Sequence, residues 1–508
     1  MAEESLSFHI SFKPRIVNVP DIKAKNLNIR YPLIPPFAFA HIFVDPKTKE
    51  LIYNVEEPVL DKDERELLKL LKLGLEEVLN MDFVGNLNKE KIIKYLEENT
   101  KSILAELGAK ITPETYRKLM YYVYRDSVGF GKIEPLLNDY YIEDIECNGV
   151  NTPIYIVHRV YENMRTNVVF TSSDELHDFV EKLAQKCGKY ISYAQPFLDA
   201  ALPDGSRVNA SYSSDITTKG PTFTIRKFTE KPLTPINLIL NKTASPRIFA
   251  YFWLAIDYKL NIMIIGETSS GKTTFLNSIL HFVPSEARIA SIEDTREINL
   301  AHSNWIPAVA RVSVGSKIGE VDLFSLLKET FRQNPDYVVV GEVRGKETFV
   351  LFQGMASGHS CYSTFHAGSF STLLRRLETP PINLPPELVD SLDILALMIH
   401  IKEKDKNIRR LQEVDEILPY SKDERTHVMF KWKASEDTFL ESRESVVLKK
   451  ISSRTGISVE DLKKEISIRE KVLAKLAEEE LTDYKKFSEI VDMYYHDKNK
   501  LLSQLGLR

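Results

Sequence analysis

Residues 266–273 read Gly-Glu-Thr-Ser-Ser-Gly-Lys-Thr and match the phosphate-binding loop pattern G-x-x-x-x-G-K-[ST]. The apolar run at 262–265 before this loop is typical of a buried parallel strand, and apolar residues recur at helical spacing over 275–280 behind it. A turn from strand to helix points backbone N–H groups and the positive end of the helix dipole at a phosphate. We therefore expect this loop to bind a nucleoside triphosphate.

The loop pattern also assigns individual contacts. Lys272 is expected to neutralise the β- and γ-phosphates, and the Thr273 hydroxyl is expected to bind Mg²⁺. ATP and Mg²⁺ are thus the expected ligands. The predicted ATP-binding residues are Gly266, Glu267, Thr268, Ser269, Ser270, Gly271, Lys272, Thr273 and Thr274.

Length and composition limit the class of protein. A chain of 508 residues with 43% hydrophobic content is expected to form two or three domains. We find no signal-peptide pattern and no apolar run near the eighteen or so residues of a membrane span. The three cysteines are far apart in the sequence, which argues against a disulfide framework. We therefore expect a cytoplasmic protein. The net charge of −5 argues against nonspecific nucleic-acid binding as the main activity, although this overall charge does not exclude a local basic channel.

The chain is predicted to be an α/β protein in which apolar strands and helices alternate after residue 236, as in a doubly wound sheet. Helices are expected over 63–79, 88–107 and 112–128 as a small antiparallel bundle. The expected segments are a mobile basic arm or fraying terminus at 1–30, short strands plus the three-helix bundle at 31–132, an α+β domain at 133–228, a proline-held linker at 229–236, and a RecA-like ATPase domain with a helical tail at 237–508.

Two apolar strands after the loop end in carboxylates. Residues 289–292 lead into Glu293 and Asp294, and residues 337–340 lead into Gly341 and Glu342. A carboxylate at a strand end beside a phosphate loop positions the metal and the attacking water. Many ATPases have Asp-Glu where this chain has Gly341-Glu342, so this strand end supplies only one carboxylate. The other acidic strand end, at 293–294, therefore becomes important as a source of the second carboxylate. An acidic residue after a strand is also commonplace.

Two histidines, His359 and His366, bracket the short strand-like run 360–365. Metal ligation is disfavoured because no cysteine or acidic cluster stands nearby in the sequence. An imidazole can donate a hydrogen bond to a phosphate oxygen when ATP is present. We interpret this pair as a sensor of the γ-phosphate.

These four segments resemble the P-loop, Asp box, Walker B and His box of the secretion ATPase superfamily, which drives type II secretion, type IV pili, type IV secretion and the archaellum. Residues 144–149 and 202–207 resemble the N-terminal domain of that family, so the resemblance covers nearly the whole chain. Residues 293–297 and 363–368 look archaeal, and the lack of a tetracysteine module separates the chain from bacterial type II enzymes. The chain is most similar to the archaellum motor ATPase, followed by archaeal type IV pilus assembly ATPases.

The resemblance implies roles for the two carboxylates and the two histidines. Glu293 would orient the hydrolytic water and Glu342 would lie on the metal side, although the two could share or exchange these roles. His366 would sense the γ-phosphate, with His359 in support.

It also implies two candidate arginine fingers, Arg207 and Arg226, which would reach ATP from the N-terminal domain of the same or an adjacent subunit. The alternative for each is an ordinary ion pair.

The implied assembly is a homo-hexamer with ATP bound between its two domains and a hinge at 231–235. Its partners would be a polytopic membrane platform protein and accessory motor proteins, reached through the arm or the tail, at the inner face of the membrane and without obligatory nucleic acid.

Two other functional classes are alternatives to this motor. A DNA-translocating ATPase would need a basic or aromatic channel. A non-hydrolysing ATP-gated scaffold is disfavoured by the acidic strand ends and the histidines.

Overall fold

The computed structural model describes residues 6–10, 19–20, 27–78, 89–228, 231–311, 319–403, 406–420 and 424–507. The chain divides into two compact units, Met1–Phe228 and Thr229–Arg508. In the described part of the chain, each unit is built on one sheet of nine strands.

The first unit is a mixed α+β structure whose sheet has the order β1-β2-β3-β6-β5-β4-β9-β8-β7. Neighbouring strands pair antiparallel except β3 and β6, which are parallel. Its elements are β1 (Asn28–Ile34), β2 (Ala38–Val44), β3 (Leu51–Glu56), α1 (Lys62–Val78), α2 (Lys89–Glu106), α3 (Pro113–Ser127), α4 (Glu134–Leu137), β4 (Ile142–Cys147), β5 (Pro153–His158), β6 (Glu162–Val169), α5 (Ser173–Lys186), β7 (Phe197–Ala201), β8 (Arg207–Ser211) and β9 (Thr222–Arg226).

The three helices α1 to α3 pack against one another as the apolar spacing predicts. Leu68, Leu71 and Leu75 form the buried face of α1. The start of α3 follows its sequence signals, because the Thr112 side chain accepts a hydrogen bond from the Thr115 N–H at 3.1 Å and a proline occupies the first helical position.

Residues 31–132 and 133–228 share one sheet and one hydrophobic core, so they do not form separate folding units. Strand β3 of the first segment pairs with β6 of the second, with Tyr53 opposite Thr166. The buried Tyr31 and Tyr53 hydroxyls both donate to Asp139 Oδ2 at 2.6 Å. Pairing of β3 with β6 therefore joins the three strands of the first segment to the six strands of the second in one continuous sheet.

The predicted arm at 1–30 is only partly within the described residues. Phe8 is buried in the core of the first unit, and its N–H donates to Glu97 Oε1 at 2.9 Å. The described part around Phe8 is therefore packed against the unit, which contradicts a mobile arm there.

The predicted linker at 229–236 also contains regular structure, although residues 229–230 lie outside the described chain. Thr234 caps helix α6 (Pro235–Leu240), and Pro235 lies at the start of that helix. The predicted linker therefore does not continue to 236, because proline is compatible with the first helical turn and the helix begins at Pro235.

The second unit contains the α/β sheet, in the order β12-β11-β13-β14-β10-β15-β16-β17-β18. The pairs from β12 to β15 are parallel, and β16, β17 and β18 extend the sheet antiparallel. Its elements after α6 are α7 (Pro246–Asp257), β10 (Ile262–Gly266), α8 (Lys272–Leu280), β11 (Ile289–Glu293), β12 (Trp305–Val309), α9 (Leu323–Arg332), β13 (Tyr337–Val340), α10 (Glu347–Ala356), β14 (Ser360–His366), α11 (Phe370–Glu378), β15 (Ile394–Glu403), β16 (Lys406–Ile417), β17 (Thr426–Lys433), β18 (Thr438–Glu441), α12 (Val446–Thr455), α13 (Val459–Glu478), α14 (Tyr484–His496) and α15 (Lys498–Gln504).

The C-terminal helices are part of the core of the second unit. Helix α13 packs along α7. Arg469 on α13 is 3% exposed, donates to Asp257 at 2.6 Å and to Glu465 at 3.2 Å, and lies over the Trp253 ring. None of the helices in the described ranges combines the length and apolar character needed to cross a bilayer.

We predict that Arg469→Ala destabilises the second unit by roughly 3 kcal/mol, because it removes the ion-pair partner of Asp257, one of the two cations that contact Glu465 among the described residues, and the contact with Trp253. All three tryptophans of the chain (Trp253, Trp305 and Trp432) lie in the second unit. Urea unfolding followed by tryptophan fluorescence therefore reports on that unit. The matched control is Arg454→Ala at an exposed position, and equal midpoints for both variants would contradict the prediction.

Candidate nucleotide-binding site

The candidate site lies where four parallel strands end at the same edge of the second sheet. From the loop strand β10 outward, the order is β14, β13 and β11. Gly266 pairs in register with His366, and Ile292 pairs with Val340, so Glu293 and Gly341 follow side by side. This order and register place the loop, the histidine and both acidic strand ends along one edge.

The loop itself fits a phosphate. Gly266 has φ +156°, and a Cβ there would lie 2.3 Å from the Met398 carbonyl oxygen, so a side chain is excluded. Lys272 starts helix α8 and donates from Nζ to the Glu267 carbonyl at 2.8 Å. The Ser270 Oγ is buried and has no hydrogen-bond partner among the described residues. Burial lowers the pKa of Lys272 from its usual value, against the nearby Glu342 and Glu297 charges that raise it.

His366 connects the loop lysine to the Walker B carboxylate. Its Nδ1 lies 3.3 Å from Lys272 Nζ, and its Nε2 lies 3.2 Å from Glu342 Oε1. Because an ammonium only donates, Nδ1 accepts and Nε2–H donates to Glu342. Burial and the neighbouring Lys272 charge lower the pKa of His366 against the opposing effect of Glu342, which agrees with a neutral ring.

Glu293 is the most perturbed carboxylate of the site. It is 2% exposed, and its Oε1 accepts the N–H groups of Glu297 and Ile298, each at 2.8 Å. Its Oε2 is buried and has no partner within the described chain. Burial raises the pKa of Glu293 to about 7, although the two N–H groups act in the opposite direction.

The packing of Glu293 explains why a glycine occupies position 341. A Cβ there would lie 3.0 Å from Cγ and 3.3 Å from Oε1 of Glu293. The space that a side chain would take after β13 is therefore filled by the carboxylate from β11. The departure from Asp-Glu and the second acidic strand end are two parts of one packing arrangement.

A magnesium ion fits the donor set at this edge. The Thr273 hydroxyl at the start of α8 and the Glu342 carboxylate are hard oxygen donors of the kind that Mg²⁺ takes. Among the described residues, no group of three or more His, Cys, Asp or Glu is arranged to hold a metal by itself. An ion here would therefore take its remaining ligands from phosphates and water, as Mg²⁺ commonly does.

A cleft of about 440 Å³ opens beside the loop. It has room for the phosphate end of a nucleotide. Its lining residues are Gly266, Glu267, Thr268, His366, Ala367, Gly368 and Thr372.

His359 lies elsewhere. It precedes β14, whereas His366 ends that strand, so seven residues at about 3.3 Å each place the two at opposite edges of the sheet. His359 packs its ring against Phe331 with centroids 4.7 Å apart. The structure does not bring His359 to Lys272, Glu342 and His366. The expectation that it supports His366 was therefore wrong.

Arg207 and Arg226 lie in the first unit, directly opposite each other on β8 and β9. Side chains at opposed positions share one face of a sheet. Arg207 contacts Asp199 at 3.0 Å and Arg226 contacts Asp144 at 3.3 Å, and both arginines are exposed. The two candidate fingers thus form one basic pair with a carboxylate beside each, and their role stays a prediction.

Two further arginines and one threonine at this edge received no role from the sequence patterns. Arg344 donates to Asp294, Arg376 donates to the His366 carbonyl, and the Thr364 hydroxyl donates to the Gly341 carbonyl at 2.8 Å. Arg344 follows Glu342 by two residues, so its closeness in sequence was the available signal. Thr364 lies within the segment 363–368 that the resemblance already marked, whereas nothing in the sequence ties Arg376 to the site before the strand order is known.

Residues 126–449, more than half of the chain, match the family model of type II/IV secretion system proteins. The chain belongs to this secretion ATPase family. Residues 435–506 also match the PilB3-like C-terminal family. A relative covering nearly the full length is an uncharacterized protein of Methanocaldococcus jannaschii, 34% identical over 96% of this chain and 94% of that protein.

Two relatives with named systems match part of the chain. The conjugal transfer protein TrbB of Rhizobium radiobacter is 31% identical over 44% of this chain and 69% of its own length. The type IV secretion system protein PtlH of Bordetella pertussis is 30% identical over 40% of this chain and 67% of its own length. As a member of this ATPase family, the chain is a nucleotide-binding protein with a RecA-like domain in its second unit.

We predict that Gly341→Ala lowers the ATP hydrolysis rate about tenfold while nucleotide affinity stays within twofold. The new Cβ has to displace Glu293 by a few tenths of an ångström, and small misplacements of reacting groups are costly. Steady-state hydrolysis and fluorescent-nucleotide binding measure the two quantities. Ser357→Ala, at the opposite edge of the same sheet, is the control. An unchanged rate in Gly341→Ala would show that the packing of Glu293 does not matter.

Proposed function

We propose that this secretion ATPase hydrolyses ATP to power the assembly of an archaeal type IV pilus-like filament. The observation that carries the proposal is the strand-end cluster, by which we mean Lys272, Glu293, Glu342 and His366. Glu293 and His366 end their strands, Glu342 follows the end of β13 by two residues, and Lys272 begins the loop helix, all at one edge. The cluster combines a phosphate-binding lysine, a metal-side carboxylate and a carboxylate that can accept a proton.

In the proposed reaction, a water oxygen attacks the γ-phosphorus and the bond to the β–γ bridging oxygen breaks, so ADP leaves with the electron pair. Glu293 takes the proton of the water, which its pKa of about 7 allows near neutral pH. Lys272 binds the β- and γ-phosphates, and His366 donates to a γ-phosphate oxygen. Thr273 and Glu342 would hold Mg²⁺, which supplies neutralisation of charge on the phosphates.

The basic pair Arg207 and Arg226 would supply additional positive charge to the transferred phosphoryl group, from the same or an adjacent subunit. We propose a homo-hexamer for this arrangement. Loss of the γ-phosphate would remove its contacts to His366 and to these arginines. Differential contact with the triphosphate and the diphosphate is what couples hydrolysis to motion.

We assign the filament first to the archaellum, in which the motor would also drive rotation. An archaeal type IV pilus or secretion apparatus is the second candidate, and the match of 435–506 to the PilB3-like family favours it. A conjugation-type DNA translocase is a weaker third, prompted by the similarity to TrbB. The proposed location is the cytoplasmic face of the membrane, through a polytopic platform protein and accessory motor proteins.

We predict that deleting the gene in its host removes either swimming filaments or adhesive pili. The wild-type gene should restore the filament, and Lys272→Ala should not, because it removes the phosphate-binding charge. Electron microscopy and motility assays identify the affected filament. Purified protein without ATPase activity would refute the motor, and strong stimulation of the ATPase by DNA would favour the translocase.

We predict that the hydrolysis rate rises about tenfold per pH unit below pH 7 and levels off above pH 8, because Glu293 must be ionised to accept a proton. The Glu297 charge shifts this midpoint upward and the Arg296 charge shifts it downward. Burial and the Lys272 charge lower the pKa of His366 from 6.5, so its ring is neutral between pH 7 and pH 8, where the rate levels off. In Glu293→Gln the rate should fall at least a hundredfold, and the slope should vanish. A wild-type midpoint near 4.5 would contradict this role of Glu293.

A further inference from the structure

An ion pair joins the ends of β11 and β13 and is not used in the reaction above. Arg344 Nη2 donates to Asp294 Oδ2 at 2.5 Å. Asp294 directly follows Glu293, and Arg344 follows Glu342 by two residues. The pair therefore lies immediately beside both carboxylates of the strand-end cluster.

The backbone under Arg344 is held firmly. Glu347 Oε1 accepts the N–H groups of Arg344 at 2.8 Å and of Gly345 at 2.7 Å. The Val343 N–H donates to the Thr364 carbonyl on β14 at 3.0 Å. The Arg344 side chain, in contrast, is 66% exposed. A long cationic side chain on a fixed base can change its partner without any movement of the main chain.

Asp294 is a partner that Arg344 can give up. An exposed ion pair contributes little to stability, because water and salt screen it. A phosphate carries more charge and more acceptor oxygens than a carboxylate, and the planar guanidinium binds it with two parallel hydrogen bonds. A phosphate within reach of Arg344 therefore competes well with Asp294.

The Arg344 charge also acts on a member of the strand-end cluster. It is one of the charges that lower the pKa of His366, together with Lys272 and Arg376. His366 itself contacts Glu342 at 3.2 Å. The guanidinium thus binds the residue next to Glu293 and is carried by the segment that holds Glu342, so both carboxylates of the strand-end cluster are its neighbours.

We propose that Arg344 is an arginine switch within the subunit: it binds Asp294 without triphosphate and binds the terminal phosphate when triphosphate is present. This inference rests on the proposed function of the same site. In the bound state Arg344 offsets the charge that develops on the transferred phosphoryl group. The segment after β11 is simultaneously released from the segment after β13, so occupancy changes the link between two loops.

The test compares Arg344→Ala, Arg344→Lys and Asp294→Asn in the full chain. We measure hydrolysis rates and the affinities for ADP and for a non-hydrolysable ATP analogue. Arg344→Ala should lose a factor of about 10² to 10³ in rate and at least tenfold in analogue affinity, with ADP affinity within twofold. Arg344→Lys should recover part of the loss. Asp294→Asn should bind the analogue as tightly as the parent or more tightly, because the competing carboxylate charge is gone.

Arg332→Ala is the matched control, since Arg332 ends α9 before β13, at the opposite edge of the sheet, and is 79% exposed. A purely structural ion pair would give equal losses in Arg344→Ala and Asp294→Asn, for ADP and the analogue alike, and would overturn the switch. So would an unchanged rate in Arg344→Ala. If the parent binds the analogue but does not hydrolyse ATP, the proposed motor fails, and the loss of analogue selectivity in Arg344→Ala still decides the switch. A parent that binds neither nucleotide refutes both.

Discussion

The register of the parallel strands in the second unit is the constraint on which the site depends. Gly266 pairs with both His366 and Met398, so the loop, the histidine strand and the next strand of the sheet end at the same level. A slip of one residue between β10 and β14 would turn the His366 side chain to the other face of the sheet. It would also separate the imidazole from Lys272. The buried apolar side chains on both faces of these strands specify the register, because a slipped strand would expose them or bury polar groups.

Electrostatics follows from this packing. The level strand ends bring Glu293, Glu342 and Asp294 to one edge, where their charges repel unless neutralised. The structure balances each differently: Glu293 is buried with a pKa near 7, Glu342 contacts a histidine, and Asp294 contacts Arg344. A metal ion and a triphosphate would rearrange all three contacts. A phosphate bound at this edge would therefore change contacts in the segments after β11, β13 and β14.

The parts of the molecule that depend on local pattern could be predicted from the sequence. The P-loop, the strands leading into Glu293 and Glu342, and the helix beginning at Pro113 follow from apolar period and capping residues. The spatial order of the strands could not be predicted in this way, because it is set by long-range pairing. That order decides that Gly341 faces Glu293. The separation of His359 from His366 follows from the length of β14 alone, so the strand-like run between the two histidines already contained that information. The joining of 31–132 to 133–228 through β3 and β6 is equally a long-range pairing.

Long-range contacts also attach the C-terminal helices to the core of the second unit. Tyr495 on α14 accepts the Trp253 indole N–H at 3.0 Å and donates to the Phe282 carbonyl at 2.9 Å. Trp253 lies on α7, which precedes the loop strand, and Phe282 follows α8, which starts at the loop. The PilB3-like tail therefore supports both helices that flank β10, rather than hanging from the sheet as a separate module. A displacement of α14 would therefore also disturb α7 and the end of α8, because one tyrosine hydroxyl binds both.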